Sequence, residues 1–135
     1  MDLIIFDLDG TLVDSKLDLA HAVNAARAQF GLPPLDLALI GHYVGNGAPA
    51  LMRRAMGPQA SEEDVRRALE FFLAYYGDHK LDHTRAYPGV PEALEELRRD
   101  GVRMAVLTNK PVNISGRILD GLGLSQYFCA RLWWE

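Results

Sequence analysis

Apolar positions fall into two textures along this chain. Leu3 to Phe6 are apolar without a break, and "VRMAVLT" from Val102 to Thr108 is nearly so. Short unbroken runs of this kind suit strands buried on both faces of a parallel sheet. Between them the spacing becomes helical. Leu17, Ala20, Val23, Ala26 and Phe30 mark a helix over Lys16 to Phe30, with Ser15 as N-cap and Gly31 and Pro33–Pro34 as its stop. Residues 35–56 predict one or two shorter helices, interrupted at "VGNGAP". Ser61, with Asp64 three residues on, resembles a capping box with Asp in place of Glu. It opens a helix through Val65, Leu69, Phe72 and Tyr76 that ends near Gly77.

After "LDHTRAYPGV" the texture changes again. Pro91 suits a first helical turn, and Leu94, Leu97 and the Gly101 stop mark about three turns. The strand at 102–108 follows, then a helix over about 113–122, and "YFCARLWW" begins a third strand. Alternating strands and helices predict an α/β fold with a parallel sheet. The helical block interrupts that alternation. It reads as an inserted helical subdomain over 16–83, set within an α/β core made of 1–15 and 84–135.

Composition narrows the setting. At 135 residues and 49% hydrophobic, the chain can bury a real core. A net charge of −4 argues against nucleic acid as a partner. Cys129 is the single cysteine, so no internal disulfide ties the chain to an oxidising compartment. "MDLIIFDLD" has no basic region before its apolar run, and the run is too short for a signal peptide or a membrane span. The expectation is a soluble cytoplasmic protein without a membrane partner.

The candidate chemistry lies in "IIFDLDGTLVDS". Residues two apart in an extended segment point the same way, so Asp7 and Asp9 share one side and Leu8 points to the core. Gly10 relieves steric limits where the chain turns. Ligands of open α/β sheets bind beyond the carboxyl ends of the strands, where this pair lies. Two adjacent carboxylates repel. A divalent cation such as Mg²⁺ relieves the repulsion, and so does a proton held by one of them. Those states allow one aspartate to be a nucleophile and the other a general acid and then a base. The plainer reading is an Asp-Gly hairpin turn. A hairpin needs a partner strand directly after the turn, and "TLVDSKLDLA" leads into a helix.

"DLDGTLVDS" resembles the first signature motif of the haloacid dehalogenase (HAD) superfamily of phosphotransferases, D-x-D-G-T-[LV]. "VLTNK" is similar to its second motif. "YPGVPEALEELRRDG" and "VGNGAPALMRRAM" resemble segments of its phosphoglycolate phosphatase-like branch. The resemblance implies a HAD-like Rossmannoid parallel sheet core, incomplete here, with an inserted helical cap. It also implies Mg²⁺-dependent hydrolysis of phosphomonoesters through an aspartyl phosphate. Asp7 is then the nucleophile and Asp9 the acid and base. Mg²⁺ is bound by the Asp7 carboxylate and the Asp9 backbone carbonyl. The Thr108 hydroxyl and the Asn109 backbone hold the phosphate, although Thr108 also reads as a helix cap. The dehalogenases of the superfamily lack the second aspartate, so Asp9 favours phosphate over carbon–halogen chemistry. The implied substrate is a small phosphorylated metabolite, with 2-phosphoglycolate favoured. Gly45-Asn46-Gly47 reads as a cap loop that chooses it, or as a tight interhelical turn. Arg53 or Arg54 is a candidate partner for a substrate carboxylate, against a solvated helix face.

Lys110 is a secondary candidate for stabilising phosphate charge, since the resemblance places the catalytic lysine in a later segment. His21, His42, His79 and His83 show no metal-ligand spacing, and His79 and His83 read as linker residues. The family's later Lys and its G-D-x-x-x-D motif do not occur before "CARLWWE". The expectation is a truncated chain with impaired turnover. Its Leu3–Phe6 edge then favours a homodimer or strand-exchanged oligomer. Alternative readings are a β-phosphoglucomutase-like phosphotransferase and a non-catalytic phosphate-binding or truncated fragment.

Overall fold

The computed structural model describes residues 2–133. In chain order the elements are β1 (Leu3–Phe6), β2 (Val13–Asp14), α1 (Lys16–Ala28), α2 (Leu37–Tyr43), α3 (Ala48–Met56), α4 (Glu62–His79), β3 (Arg85–Ala86), α5 (Val90–Arg99), β4 (Arg103–Thr108), α6 (Val112–Gly121) and β5 (Ala130–Trp133). The chain divides into two compact units. One joins the stretch up to Ser15 with the stretch from Thr84 onward, and the other runs from Lys16 to His83.

The first unit is built on a parallel sheet of order β1-β4-β5. β4 takes the centre, and Met104, Ala105 and Val106 are buried there. Parallel neighbours need a crossover. α5 lies between β1 and β4 in sequence, and α6 between β4 and β5. Leu94 of α5 and Ile118 and Leu119 of α6 are buried with Leu124, which follows α6. Pro91 stands in the first turn of α5, as its fixed φ favours.

The expectation of a strand buried on both faces fits β4 and fails for β1. Leu3 and Ile5 are 48% and 52% exposed, while Ile4 and Phe6 are half-buried. The cause is position: β1 is at the edge of the sheet, and strand alternation sends Leu3 and Ile5 to one face. Phe6 meets the ring of Phe128 edge-on at 6.3 Å. A second, two-stranded ribbon pairs β2 with β3, Val13 opposite Ala86 and Asp14 opposite Arg85. Strands of two residues carry no periodicity, so the sequence pattern did not reveal this ribbon.

The second unit is helical. α4 packs along α1 and α3, and its buried residues Val65, Ala68, Phe72 and Tyr76 keep the 3–4 spacing of one helix face. Ala20, Ala22 and Ala26 with Val23 supply a buried surface of small residues on α1. α1 ends at Ala28, two residues before the predicted last residue Phe30, and Gly31 follows with φ +69°. Buried Arg27 ties that end to α3: its Nε donates to the Pro33 carbonyl at 2.9 Å and its Nη1 to the Ala55 carbonyl. Ser61 caps α4 as predicted, its Oγ accepting the Asp64 N–H at 3.1 Å. α4 continues through Gly77 to His79. One interior glycine costs only about 1 kcal/mol relative to alanine, which packing readily outweighs. No helix among the described residues is long and apolar enough to cross a membrane.

Candidate active site

β1 and β4 run parallel with Phe6 opposite Val106. Asp7 follows β1 directly, and Thr108 is the last residue of β4. Asp7–Asp9 and Thr108–Lys110 therefore leave the sheet at the same carboxyl edge, the usual ligand edge of such sheets.

The turn after β1 is organised by Leu8. Its side chain is fully buried. Its carbonyl accepts the N–H groups of Thr11, Leu12 and Val13 at 3.3, 3.0 and 3.2 Å. Gly10 takes φ +80°, a conformation that disfavours any side chain, and its N–H donates to the Val13 carbonyl at 3.0 Å. Burial of Leu8 and the coiled carbonyl contacts hold the two flanking aspartates outside the core. Asp7 is exposed, and its Oδ1 accepts the Leu8 N–H at 2.8 Å.

Asp9 is more enclosed. Its Oδ1 accepts the Ser15 hydroxyl at 2.5 Å and lies 2.9 Å from Lys110 Nζ. The side chains of Lys110 and Asp9 are 5% and 18% exposed. A partly desolvated ion pair is screened less than a surface one, so Lys110 is placed to counter the repulsion between the paired aspartates. The Thr108 Oγ1 accepts the Lys110 N–H at 3.1 Å. That bond shapes the turn from β4 into α6. A hydroxyl that accepts still has its own proton to donate. Asn109 lies half-buried between these two. The Ser115 hydroxyl donates to the Pro111 carbonyl at 3.1 Å, steadying the start of α6.

Two sequence readings are extended here. Ser15 stands just before α1, where the sequence put the N-cap, and its buried hydroxyl also donates to Asp9, a contact the sequence did not suggest. Lys110 was a secondary candidate, yet it is the cation placed against Asp9. The signal for it was present: a lysine two residues beyond a parallel strand's end arrives at the same edge as the aspartates.

The remaining candidates lie in the helical unit. Gly45, Asn46 and Gly47 join α2 to α3, with Gly45 at φ 129° and Gly47 at φ 90°. The Gly47 carbonyl accepts the Leu51 N–H at 3.1 Å. Arg53 is held by the Glu62 carboxylate at 2.5 Å and the Ala60 carbonyl at 3.2 Å. Arg54 Nη1 donates to the Tyr43 carbonyl at 2.9 Å. Both arginines thus make staples within their own unit.

The profile of the haloacid dehalogenase-like hydrolase family matches residues 4–132. Phosphoglycolate phosphatase 1 of Pseudomonas aeruginosa is 44% identical over 132 residues, which is 93% of this chain and 48% of that protein. The phosphoglycolate phosphatase of Haemophilus influenzae strain 86-028NP is 42% identical over 96% of this chain and 61% of its own length. A crystal structure described as a predicted phosphoglycolate phosphatase from Haemophilus somnus superposes with a TM-score of 0.92 at 37% identity, covering 98% of this chain and 62% of the other. The chain thus spans about half to three fifths of the length of these relatives. On the match over nearly its whole length, the chain belongs to the haloacid dehalogenase-like hydrolase family.

Proposed function

We propose that this chain carries the nucleophile and acid–base groups of a phosphomonoester hydrolase of the phosphoglycolate phosphatase type. The observation that carries this reading is the meeting of Asp7, Asp9, Thr108 and Lys110 at one sheet edge, with Lys110 Nζ 2.9 Å from Asp9. The relatives named phosphoglycolate phosphatase support the substrate class.

In this account a carboxylate oxygen of Asp7 attacks phosphorus and forms an aspartyl phosphate. The phosphorus–oxygen bond to the ester breaks, and the leaving alkoxide takes a proton from Asp9. Asp9 then takes a proton from water, which attacks the phosphoryl group, releases phosphate and restores Asp7. Ser15 and Lys110 hold the Asp9 carboxylate in place for both transfers. The Thr108 hydroxyl and the Asn109 backbone orient the phosphoryl oxygens.

The oxygen donors at the edge fit a hard cation. The exposed Asp7 carboxylate and the Asp9 backbone carbonyl would hold Mg²⁺. A carboxylate has about four lone-pair sites, so the bond from Leu8 leaves capacity on Asp7. Mg²⁺ bound there supplies charge neutralisation for the transferring phosphoryl group.

The first unit serves as the catalytic core and the second as the cap that selects the substrate through Gly45-Asn46-Gly47 and Arg53. The favoured substrate is 2-phosphoglycolate, in a cytoplasmic setting. The 135 residues span 48% of the Pseudomonas aeruginosa relative. The exposed Leu3 and Ile5 on edge strand β1 favour self-association.

A β-phosphoglucomutase-type transferase is the second reading. It has less support: a putative β-phosphoglucomutase from Thermotoga maritima superposes with a TM-score of 0.62 at 25% identity. Phosphate release from 2-phosphoglycolate and from β-glucose 1-phosphate, with and without Mg²⁺, separates the two. The expected result is Mg²⁺-dependent release that favours 2-phosphoglycolate and disappears in Asp7→Asn. Preference for the sugar phosphate, or release that survives Asp7→Asn, overturns it.

A further inference from the structure

Residues three apart on a helix lie on one face. Asp18 and His21 stand so at the start of α1, in the helical unit. His83, 62 residues beyond His21, is the last residue of the same unit. The fold brings all three together: one ligand atom from each lies within 4.8 Å of the other two.

The arrangement is held by contacts of its own. The Asp18 Oδ2 accepts the His83 backbone N–H at 2.9 Å, which fixes where His83 sits. The rings of His21 and His83 meet edge-on with centroids 5.5 Å apart. Asp18 is only 2% exposed, whereas both histidines face solvent. An ionised carboxylate has about four lone-pair sites, so its hydrogen bonds and a metal bond can coexist.

We propose that Asp18, His21 and His83 form a binding site for a borderline divalent cation of the zinc class. This site is separate in chemistry from the Asp7–Asp9 edge. Two imidazole nitrogens and one carboxylate oxygen are the donors that suit Zn²⁺, Ni²⁺ or Co²⁺, while Mg²⁺ prefers oxygen alone. Metal–ligand bonds of 2.0–2.1 Å in a tetrahedron set ligand atoms roughly 3.3 Å apart, so the three donors close by about 1.5 Å at most. Exposed imidazoles make that movement by side-chain rotation. Water takes the fourth position on the solvent side. The bound ion links the first turns of α1 to the residue at which the chain leaves the helical unit, so it stabilises that unit against unfolding. The site does not depend on the proposed phosphatase reaction, and it can fail or stand independently of it.

The test is Zn²⁺ binding to the full chain by calorimetry, in excess Mg²⁺ and in a Cys129→Ser background, since Cys129 is an exposed thiol. One Zn²⁺ per chain is expected, with a rise in thermal midpoint that Mg²⁺ alone does not give. His21→Ala and His83→Ala each weaken binding by at least about tenfold, while His42→Ala and His79→Ala leave it within about twofold. In the chain with all four histidines, Zn²⁺ shifts the imidazole nitrogen NMR signals of His21 and His83, a readout that needs no variant to fold. Absence of Zn²⁺ binding, equal binding in the His21 and His83 variants, or ring shifts confined to other histidines overturns the proposal.

Discussion

The ammonium of Lys110 lies 2.9 Å from Asp9 Oδ1, and the pair is largely enclosed. The two residues come from the ends of different strands, β1 and β4, whose parallel register brings those ends level. The relationship is therefore set by sheet topology and not by proximity in sequence. It places positive charge at the edge where the proposed reaction handles a phosphoryl group.

Lys110→Met tests that role. Removing one preorganised electrostatic donor typically costs about 10²–10³-fold in turnover. Mg²⁺-dependent phosphate release is expected to fall by a factor of that order, with Lys110→Arg retaining part of it. The denaturation midpoint of Lys110→Met should fall, because Asp9 loses its enclosed cation, so release is compared at a temperature where both chains are folded. Unchanged phosphate release in Lys110→Met argues that the lysine serves only the fold.

Ser15 donates to Asp9, and a hydrogen bond to a charged group is worth about 1.5–3 kcal/mol. Ser15→Ala should lower stability by roughly 1–2 kcal/mol. A double-mutant cycle of Ser15→Ala with Asp9→Asn should show coupling of about 1 kcal/mol, since the two share one bond. Additive effects in urea denaturation point instead to a simple helix cap.

The cap of α4 is a conventional one. Ser61→Ala should destabilise by about 0.5–2 kcal/mol and Ser61→Gly by a few tenths. Chemical denaturation of both variants checks the order, and an unchanged midpoint in Ser61→Ala removes the cap from the account.

Glu95 on α5 is held below the usual glutamate range, first by its hydrogen bond from Arg98 and then by one from Tyr127. Arg98 also lies over the Tyr127 ring at 5.2 Å. Because the folded carboxyl titrates low, its contribution to stability is present above the unfolded pKa and is lost as pH falls through the folded one. That contribution is small at an exposed site. A carboxyl NMR titration should give a depressed midpoint for Glu95 that moves toward the ordinary value in Arg98→Ala. An unmoved midpoint assigns the depression elsewhere.

Elements with long periodic patterns were legible in the sequence. The face of α4, its Ser61 cap, Pro91 in α5 and the apolar run of β4 each carry a local physical reason. The β2–β3 ribbon was not legible, because two residues have no period and their pairing is non-local. The exposure of β1 was hidden for a related reason: "LIIF" reads as buried on both faces, but only strand order shows that it lies at an edge. At the sheet edge, the i, i+2 spacing of Asp7 and Asp9 was plain. Lys110 and Ser15 needed the strand register and the turn geometry. The meeting of Asp18 and His21 with His83 needed the whole helical unit, since no local spacing links residues 21 and 83.

The central claim is that Asp7 accepts a phosphoryl group. Beryllium trifluoride mimics that group on an aspartate, and ¹⁹F NMR reads its bound form without requiring turnover. The account predicts a Mg²⁺-dependent bound signal in the unmodified chain that persists in Asp9→Asn and is absent in Asp7→Asn. A bound signal that survives Asp7→Asn, or no Mg²⁺-dependent signal in the unmodified chain, contradicts it.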